Sequence, residues 1–313
     1  MGKSKTNSSM RGPKKRELNA VSVQAEVGIH IVIGAFALAC IIPFIFVFII
    51  AFTSEDSIRA VGYSFFPQEW SLEAFTYIQS LGKQLWLSYF NSFYITILGT
   101  FLSVFMTMLY AYAVFRKDFK YRQFFTFFCF FTMLFGGGLA PTVVVTKALG
   151  MNENYAALIV PMLLNPFNLI IMRTFFQSSV PDELIESASI DGSGEYNTLF
   201  KIIVPIAKPG IATVSLLTAL AYWNDWYLAL LYVANDPDHM PLQYLLIRMQ
   251  QQADFLAKNA GSLGVEAQSI AANLPSNSLK MALVVLIVVP IACAYPFFQR
   301  YIISGLTIGA VKG

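Results

Sequence analysis

Six long apolar runs constrain the fold of this 313-residue chain more than any other feature. They occupy residues 27–52, 85–115, 124–145, 155–176, 210–233 and 280–303. A helix needs about 20 mainly apolar residues to cross a bilayer, whereas a tilted barrel strand needs only about 10. Charged residues make up 12% of the chain, against about 25% in a typical soluble domain. The sequence therefore predicts an all-α, polytopic membrane protein with six transmembrane helices.

The distribution of Lys and Arg predicts the orientation of these helices. With the N-terminus inside, the inner segments are a basic tail at 1–26, the 116–123 loop, the 177–208 loop and the C-terminus. Together with Arg173 and Arg300 at the adjoining span ends, they carry fifteen of the 21 basic residues. Cytoplasmic loops are enriched in Lys and Arg. We therefore expect both termini and the 177–208 loop in the cytoplasm. The chain divides into the tail, a first helix with its outer loop at 27–84, and a core of five helices at 85–313.

Two long outer loops complete the predicted topology. Residues 53–84 are acidic and aromatic, and residues 234–279 combine a Gln-rich stretch with a Gly/Ala/Asn/Ser-rich stretch. The Gln-rich part predicts a short surface helix, and the remainder is typical of a flexible loop. The three cysteines lie inside apolar runs without a CxxC pair, and the two histidines are far apart. The sequence therefore predicts no metal site.

The one polar segment between membrane spans reads PDELIESASIDGSGEYNTLFKIIVPIAKP and covers residues 181–209. Pro and two acids at its start predict a first helix to about Ser189. Asp191-Gly192 is a turn signal, and Ser193 is the predicted cap of a second helix. That helix carries apolar residues at helical spacing, which predicts a single stripe. The stripe consists of Tyr196, Leu199, Phe200, Ile203 and Val204. Pro205 and Pro209 are expected to end the second helix and start the fifth span.

Two interpretations of this hairpin remain open from its residues alone. It is either a helical loop that lies on the membrane surface or an element that docks into another protein. The hairpin carries five acids and few cations: Asp182, Glu183, Glu186, Asp191 and Glu195 are the acids. A surface helix held by anionic lipid should be basic. The acidic character favours docking to a protein.

The hairpin resembles the EAA loop found in membrane-spanning subunits of binding-protein-dependent ABC importers. Three short stretches carry the resemblance: Glu186-Ser187-Ala188, Asp191-Gly192 and Ile203-Val204-Pro205. Ser187 stands where alanine is commoner in the family, and the residue stays small. NSFYITILGT, NLIIMRTFF, YWNDWYLALLY, PLQ and the terminal IGAVKG extend the resemblance over most of the chain from residue 89. These stretches resemble the carbohydrate-uptake class, with its maltose-type components, and most nearly the permeases for complex oligosaccharides.

The resemblance implies a role for the hairpin and a set of partners. The hairpin would be a pair of coupling helices seated in a cytoplasmic ABC ATPase dimer, with Glu186 forming charged hydrogen bonds, Ala188 allowing close packing and Gly192 permitting the turn. The implied coupling residues are Glu186, Ser187, Ala188, Asp191, Gly192, Phe200 and Pro205. A second homologous permease and an extracytoplasmic solute-binding protein would complete the importer in a bacterial cell membrane. ATP and magnesium would bind only to the ATPase, and no cofactor or nucleic acid would bind to this chain.

Candidate substrate contacts lie in the fourth and fifth spans. An Asn-Asp pair inside a membrane is costly unless it faces a cavity or a partner, and flat aromatic rings beside polar groups suit sugars. The candidates are Trp223, Asn224, Asp225, Trp226, Asn165 and Asn168. Helix packing is the alternative for these residues, because Trp also forms the interfacial belt and Asn bonds across helices. Pro166 is expected to kink span four, and Gly136-Gly137-Gly138 weaken span three as a hinge or a close-packing site.

Two alternatives to an importer subunit are an ion-coupled secondary transporter and a membrane-embedded transferase. An ion-coupled secondary transporter requires paired charges within its spans or an inverted repeat, and the six spans offer little beyond Asp225. A membrane-embedded transferase requires a His/Asp or Asp/Glu pair near the interface. The chain also lacks the GxxxxGK[ST] phosphate-binding motif. These features count against both alternatives, and the resemblance implies a non-catalytic permease subunit of an ATP-driven importer for a sugar of the oligosaccharide class.

Overall fold

The computed structural model describes residues 23–259 and 276–310, and it is all-helical over them. Within these ranges the only β-pairing is an isolated antiparallel bridge between Thr53 and Trp70. The fifteen α-helices are α1 Val23–Ala51, α2 Glu55–Val61, α3 Glu73–Gln79, α4 Lys83–Phe115, α5 Arg122–Leu134, α6 Leu139–Ala148, α7 Tyr155–Ile159, α8 Pro166–Ser179, α9 Asp182–Ile190, α10 Glu195–Asn197, α11 Val204–Ile206, α12 Lys208–Asn224, α13 Tyr227–Tyr232, α14 Leu242–Asn259 and α15 Ser276–Ala310. A 3-10 turn, Val160–Met162, follows α7, and a π-helical stretch, Thr198–Ile203, joins α10 to α11. The all-α prediction is confirmed.

Three helices are long and apolar enough to cross a membrane alone, namely α1, α4 and α15. They correspond to the first, second and sixth predicted spans. In the described ranges three bent pairs also qualify by length and composition: α5 with α6, Tyr155–Met162 with α8, and the hairpin's second helical segment, Glu195–Ile206, with α12. Up to six crossings result if each pair is one span. Side chains 24–45 of α1 are exposed, which is expected for an apolar helix that faces lipid or another subunit.

The third predicted span is not one helix. Helices α5 and α6 are bent by 116° at residues 135–138, and the prediction of a continuous helix over 124–145 is wrong. Gly138 has φ +83°, a backbone conformation that residues with a side chain rarely adopt. A Cβ added at Gly136 or Gly138 would meet nothing within 4 Å. The glycines therefore serve the break itself and not close helix packing.

The fourth and fifth predicted spans are also interrupted. Asn165 and Pro166 begin α8 at a 50° bend from the preceding helical stretch, Tyr155–Met162, so the predicted kink at Pro166 is confirmed. The fifth predicted span, 210–233, separates into α12 and α13 at Asp225-Trp226, and the expectation of one continuous helix is wrong. The Gln-rich loop forms a helix, α14, as predicted, but it is not a short surface helix: it has 18 residues, and Leu242, Leu245 and Leu246 in its first half are buried. The loop remainder that was expected to be flexible, and most of the basic tail, lie outside the described residues.

Two glycines allow α12 to approach α8 and α4 closely. A Cβ at Gly210 on α12 would lie 2.4 Å from Cγ of Phe175, and one at Gly99 on α4 would lie 2.7 Å from the Tyr222 ring. No side chain fits at these distances, so α12 lies directly against α8 and α4. Below this contact α4, α5, α8 and the hairpin share one buried core. Its members are Met108, Ala111, Tyr112, Phe115, Cys129, Leu169, Met172, Phe176, Val180, Leu199, Ile203, Ala207 and Val214.

A buried carboxylate ties the loop after α1 to the last helix. Glu55 is only 4% exposed. Its carboxylate accepts hydrogen bonds from the Ser278 amide at 3.1 Å, the Asn277 amide at 3.1 Å and the Asn277 side-chain amide at 2.9 Å. The first N–H groups of a helix have no partner within the helix. Glu55 supplies that partner for α15 and places a negative charge at the positive end of the helix dipole.

Candidate functional site

The first helix of the hairpin, α9, carries three of the seven candidate coupling residues, namely Glu186, Ser187 and Ala188. Pro181 precedes it, and Asp182 and Glu183 lie in its first turn, where negative charge opposes the helix dipole. Glu186 and Ser187 are exposed, whereas Ala188 is 6% exposed and lies on the buried side. The Ser187 hydroxyl donates to the Glu183 carbonyl at 2.8 Å, so its polar group is satisfied without a partner protein.

The turn between the two hairpin helices depends on Gly192. Its φ is +73°, and its amide donates to the Ser189 carbonyl at 3.1 Å. The Ser193 amide donates to the Ala188 carbonyl at 2.9 Å. These two bonds form a Schellman motif, in which glycine occupies the left-handed position because it has no Cβ. The predicted Asp191-Gly192 turn is confirmed.

The second hairpin helix differs from its prediction in its start and in its faces. Gly194 and not Ser193 caps it, and the Ser193 hydroxyl accepts from the Thr198 hydroxyl at 3.3 Å. The five predicted stripe residues do not share one face. Leu199 and Ile203 are 1% and 0% exposed, whereas Tyr196 and Phe200 are 78% and 42% exposed, with Val204 between these extremes. Because residues 198–203 are π-helical, each turn holds an extra residue and positions three apart no longer lie on the same side.

Pro205 does not end the second helix as predicted. It lies inside the continuous helical segment Glu195–Ile206, and an 84° bend to α12 follows at Ala207. Proline cannot donate an amide and clashes with the carbonyl four residues earlier in an α-helix. The wider π-helical turn directly before it leaves room for the ring, and the Val204 amide bonds to the Leu199 carbonyl five residues back. Pro209 lies in the first turn of α12, as expected for a helix start.

A cluster of polar contacts, here called the clamp, binds the starts of both hairpin helices to the end of α4 and the loop after it. It consists of Tyr112, Arg116, Lys117, Asp182 and Glu195. Lys117 pairs with Asp182 at the start of the first hairpin helix, and Arg116 approaches Glu195 at the start of the second to 3.2 Å. The Tyr112 hydroxyl donates to Glu195 as well. The clamp places the starts of both helices on the same short loop.

Arg116 is the central residue of the clamp. Its side chain is 14% exposed, and it also donates two hydrogen bonds to Asp118, at 2.9 and 2.6 Å. This bidentate contact holds the pKa of the Asp118 carboxyl below its usual range and raises the pKa of Arg116. The sequence interpretation used these cations only for topology and missed the clamp. The signal was available, because acids in both first turns and the loop cations were expected on the same side of the membrane.

An exposed face with acids and apolar side chains remains on the hairpin once the clamp is formed. Glu186 and Asp191 are exposed, and so are Leu184 at 41% and Ile190 at 86%. Glu186 also lines a cavity of about 280 Å³ beside the clamp. Leu184 and Ile190 were not among the predicted contact residues. Large apolar groups rimmed by charges are typical of a protein contact surface.

The candidate substrate residues of the fifth span occupy different environments. Trp223 is 7% exposed, stacks edge-on against Phe93 with ring centroids 5.1 Å apart, and donates its Nε1–H to the Ile287 carbonyl at 3.2 Å. These contacts favour the helix-packing alternative for Trp223. Asn224 is exposed and donates to the Leu220 carbonyl at 2.9 Å. Trp226 is 37% exposed.

Asp225 has a structural partner at the break between α12 and α13. Its carboxylate lies just before the N-cap residue Trp226 and accepts from the Leu228 amide in the first turn of α13 at 3.3 Å, so it acts as a cap from outside the helix. A capping carboxylate satisfies free amides and opposes the helix dipole. This contact accounts for an acid inside an apolar segment without invoking a ligand.

The two asparagines of the fourth span are also engaged in structure. The Asn165 side chain accepts from the amides of Phe167 and Asn168 at 2.9 and 3.4 Å and caps α8. Asn168 is buried and donates to the Thr218 hydroxyl at 3.1 Å, which joins α8 to α12. This bond between two helices favours helix packing over sugar contact as the role of Asn168. Asn165 remains exposed.

The fold and the hairpin define a class of membrane-embedded helical permease. Residues 99–308 match the family described as "Binding-protein-dependent transport system inner membrane component", and the chain belongs to this family. Its members are permease subunits of ABC importers, in which a separate subunit hydrolyses ATP. Membership in this family argues against the two alternative functions, an ion-coupled secondary transporter and a membrane-embedded transferase. It also implies partners of three kinds, namely an ATPase, a solute-binding protein and a second permease.

Curated relatives cover almost the whole chain. The polygalacturonan/rhamnogalacturonan transport system permease protein YtcP of Bacillus subtilis is 38% identical over 89% of this chain and 94% of its own length. The protein LplC of the same organism is 37% identical over 90% and 92%. The arabinooligosaccharides transport system permease protein AraQ of Halalkalibacterium halodurans is 31% identical over 80% and 82%.

A solved structure has the same fold. It is the crystal structure of a bacterial ABC transporter involved in the import of the acidic polysaccharide alginate. One of its chains is 27% identical, and the superposition covers 90% of this chain and 98% of that one with a TM-score of 0.71.

Proposed function

We propose that this chain is one of two permease subunits of an ATP-driven oligosaccharide importer and forms half of its translocation path. The proposed topology has six crossings, made by α1, α4, α5–α6, α7–α8, α12–α13 and α15. Residues 85–313 are the proposed permease core, and both termini and the hairpin lie in the cytoplasm. The excess of Lys and Arg in the inner segments supports this orientation.

The hairpin is the proposed receiver of ATPase motion. The single observation that carries this proposal is that both hairpin helices are bound at their starts while the side of α9 that bears Glu186 is free. The clamp joins the helix starts to the α4 loop, and Leu199 and Ile203 anchor the second helix in the core. A push on the exposed side is therefore passed to α4 and α12 and not absorbed in the hairpin. Glu186, Ser187, Asp191 and Phe200 supply the proposed contact, with Ala188, Gly192 and Pro205 shaping it.

The test of coupling reverses one exposed charge. Glu186→Lys should lower ATP-dependent uptake by about tenfold or more, because it places a cation where a carboxylate meets donors of the ATPase. The ATPase should also be lost on co-purification, while insertion of the permease is retained. Glu69→Lys is the matched control, since Glu69 is exposed and lies in the loop proposed to be outside. Wild-type uptake and association in Glu186→Lys would refute the coupling role.

An oligosaccharide is the proposed substrate because of the relatives. Proteins named for polygalacturonan/rhamnogalacturonan, for arabinooligosaccharides and for alginate align over most of the chain. Uptake of labelled galacturonate, arabinose and glucose oligosaccharides by cells with and without the gene should show transport of at least one of them. Transport of none, with uptake of an unrelated solute, would contradict the proposal.

Within the path, Asn224 and Trp226 are the proposed sugar contacts, with Trp223, Asp225, Asn165 and Asn168 holding the surrounding helices. Both proposed contacts remain exposed after the helices have packed. Trp226→Ala should raise the KM for uptake by about fivefold, since an aromatic contact contributes about 1 kcal/mol. Trp86→Ala is the control, because Trp86 is 69% exposed on α4. Equal effects of the two substitutions would remove Trp226 from the path.

A further inference from the structure

A cavity of about 690 Å³ opens between the start of α5 and the cytoplasmic half of α8. Four cations line it, namely Lys117, Lys120, Arg122 and Arg173, and none of its lining residues is acidic. Neither the coupling role nor the sugar path uses this cavity. A concave site with charges of one sign attracts a ligand of the opposite charge.

The two arginines of this cavity have no counterion. Lys117 is paired with Asp182, and Lys120 lies over the Tyr121 ring at 5.8 Å. Arg122 and Arg173 form no ion pair with any residue in the described ranges. The Nε–H of Arg173 is buried and has no hydrogen-bond partner. A buried donor without a partner is unfavourable, and more so when it belongs to a charged guanidinium. Two guanidinium groups that face one cavity without an ion pair in the described ranges favour an anionic ligand there.

The far wall of the same cavity is aromatic. Phe127 and Phe130 line it and are 67% and 43% exposed. At 1.5 Å per residue they lie about 7.5 and 12 Å along α5 from Arg122. Helix α5 belongs to a bent pair that is apolar enough to cross a membrane. The cations therefore lie at the end of the apolar segment and the phenylalanines further into it, the order in which a phospholipid presents its phosphate and its acyl chain.

We propose that this cavity binds an anionic phospholipid. The phosphate accepts hydrogen bonds from Arg122 and Arg173, and one acyl chain lies along Phe127 and Phe130. Clusters of basic residues at the cytoplasmic end of a span are a recognised attraction for anionic headgroups. The phosphate alone would account for the arginines but not for the adjacent aromatic wall, so a lipid and not a free phosphate ion is the proposed occupant. This site does not depend on the identity of the transported sugar.

The experiment measures lipid binding to the assembled importer purified in detergent. Titration with phosphatidylglycerol, followed by native mass spectrometry, gives the affinity, and phosphatidylcholine serves as the net-neutral comparison. The double variant Arg122→Gln/Arg173→Gln should bind phosphatidylglycerol about 25-fold more weakly, since each basic residue near an anionic surface contributes about a factor of five. Lys83→Gln/Lys147→Gln removes two cations outside the cavity and should leave the affinity unchanged.

Two further variants keep the proposal falsifiable if the double Gln variant does not assemble. Arg122→Lys/Arg173→Lys retains both charges and should retain most of the binding, and Phe127→Ala should weaken phosphatidylglycerol binding several-fold through its loss of apolar contact. Equal affinity in the wild type and the Gln variant, or no preference over phosphatidylcholine, overturns the proposal. So does full displacement by inorganic phosphate, which identifies a free-ion site. A cavity covered by a partner subunit would likewise show no specific lipid.

Discussion

Carboxylates at helix starts occur in two regions of this molecule, and they are satisfied in different ways. In the hairpin, Asp182 and Glu195 pair with side chains, namely Lys117 and Arg116. Outside the hairpin, Glu55 and Asp225 accept hydrogen bonds from main-chain amides. Glu55 also accepts from the side chains of Asn277 and Ser278, and Arg59 approaches it to 3.7 Å. A main-chain partner cannot move without the helix, whereas a side-chain partner can change rotamer or exchange with a second protein. Acids bound to amides therefore stabilise the fold, and acids bound to cations suit the place where a partner docks.

The largest expected effect tests the amide-bound class at Glu55. Glu55→Ala removes the carboxylate that caps α15 and leaves buried amides of Asn277 and Ser278 without a partner. We expect the free energy of unfolding to fall by about 3 kcal/mol. Thermal unfolding of the purified importer, followed by Trp fluorescence, measures the change.

The adjacent acid Asp56 provides the control for Glu55. It lies in the same first turn of α2 but is exposed, so Asp56→Ala should change stability by about 0.5 kcal/mol or less. Similar losses for the two substitutions would show that helix charge, and not the buried contact with α15, is the source of the effect.

Asp225 gives the second prediction and separates capping from substrate contact. Asp225→Ala should cost about 1–2 kcal/mol by removing the cap of α13, whereas Asp225→Asn should retain most of the stability, because Asn caps helices as well as Asp. Unfolding temperatures of both variants measure this. Normal stability with greatly reduced uptake in Asp225→Asn would mean that the charge of Asp225 acts on the substrate. Its main role would then be in transport and not in stabilising α13.

The long helices, the hairpin and the helix breaks differ in how well the sequence predicts them. Long apolar runs predict the existence and type of α1, α4 and α15, with α4 within two residues and the ends of α1 and α15 up to four and seven residues away. The hairpin is predicted through its turn, since Gly192 and the acids at the helix start are local signals. The breaks at Gly138 and Asp225 were not predicted as helix ends. At Gly138 the flanking sequence stays apolar, and at Asp225 the polar pair Asn224-Asp225 interrupts a run that is otherwise apolar. Hydropathy averaged over a span therefore does not report the change in backbone direction.

Side-chain faces within the hairpin were the least predictable feature. A stripe at positions three and four apart assumes an α-helical turn, and residues 198–203 are π-helical. The widening accompanies Pro205 and separates Tyr196 from Leu199. The burial of Trp223 was equally hidden, since its partners Phe93 and Ile287 are far away in the sequence. Such contacts depend on tertiary packing, which no local pattern contains.

The third prediction measures the stronger half of the clamp. A double-mutant cycle with Arg116→Ala and Glu195→Ala should give a coupling energy of about 1 kcal/mol, because Arg116 is largely buried while Glu195 is partly exposed. Unfolding of the purified importer supplies the four stabilities. The cycle with Arg116→Ala and Glu183→Ala is the control, since Glu183 is exposed on α9 and forms no ion pair with Arg116. Equal coupling in both cycles would mean that Arg116 acts through the general field of the hairpin.

The smallest expected effect belongs to the weaker half of the clamp, the pair between Lys117 and Asp182. Their side chains are 72% and 50% exposed, so solvent screens the attraction and the coupling energy should be about 0.3 kcal/mol. In 1 M NaCl, where the Debye length falls to about 3 Å, it should vanish, while the Arg116–Glu195 coupling should persist in part. Double-mutant cycles at low and high salt measure the two pairs side by side. A Lys117–Asp182 coupling as large and as salt-resistant as that of Arg116 would show that both hairpin helices are held equally. A push on α9 would then be transmitted through its own start and not chiefly through the second helix.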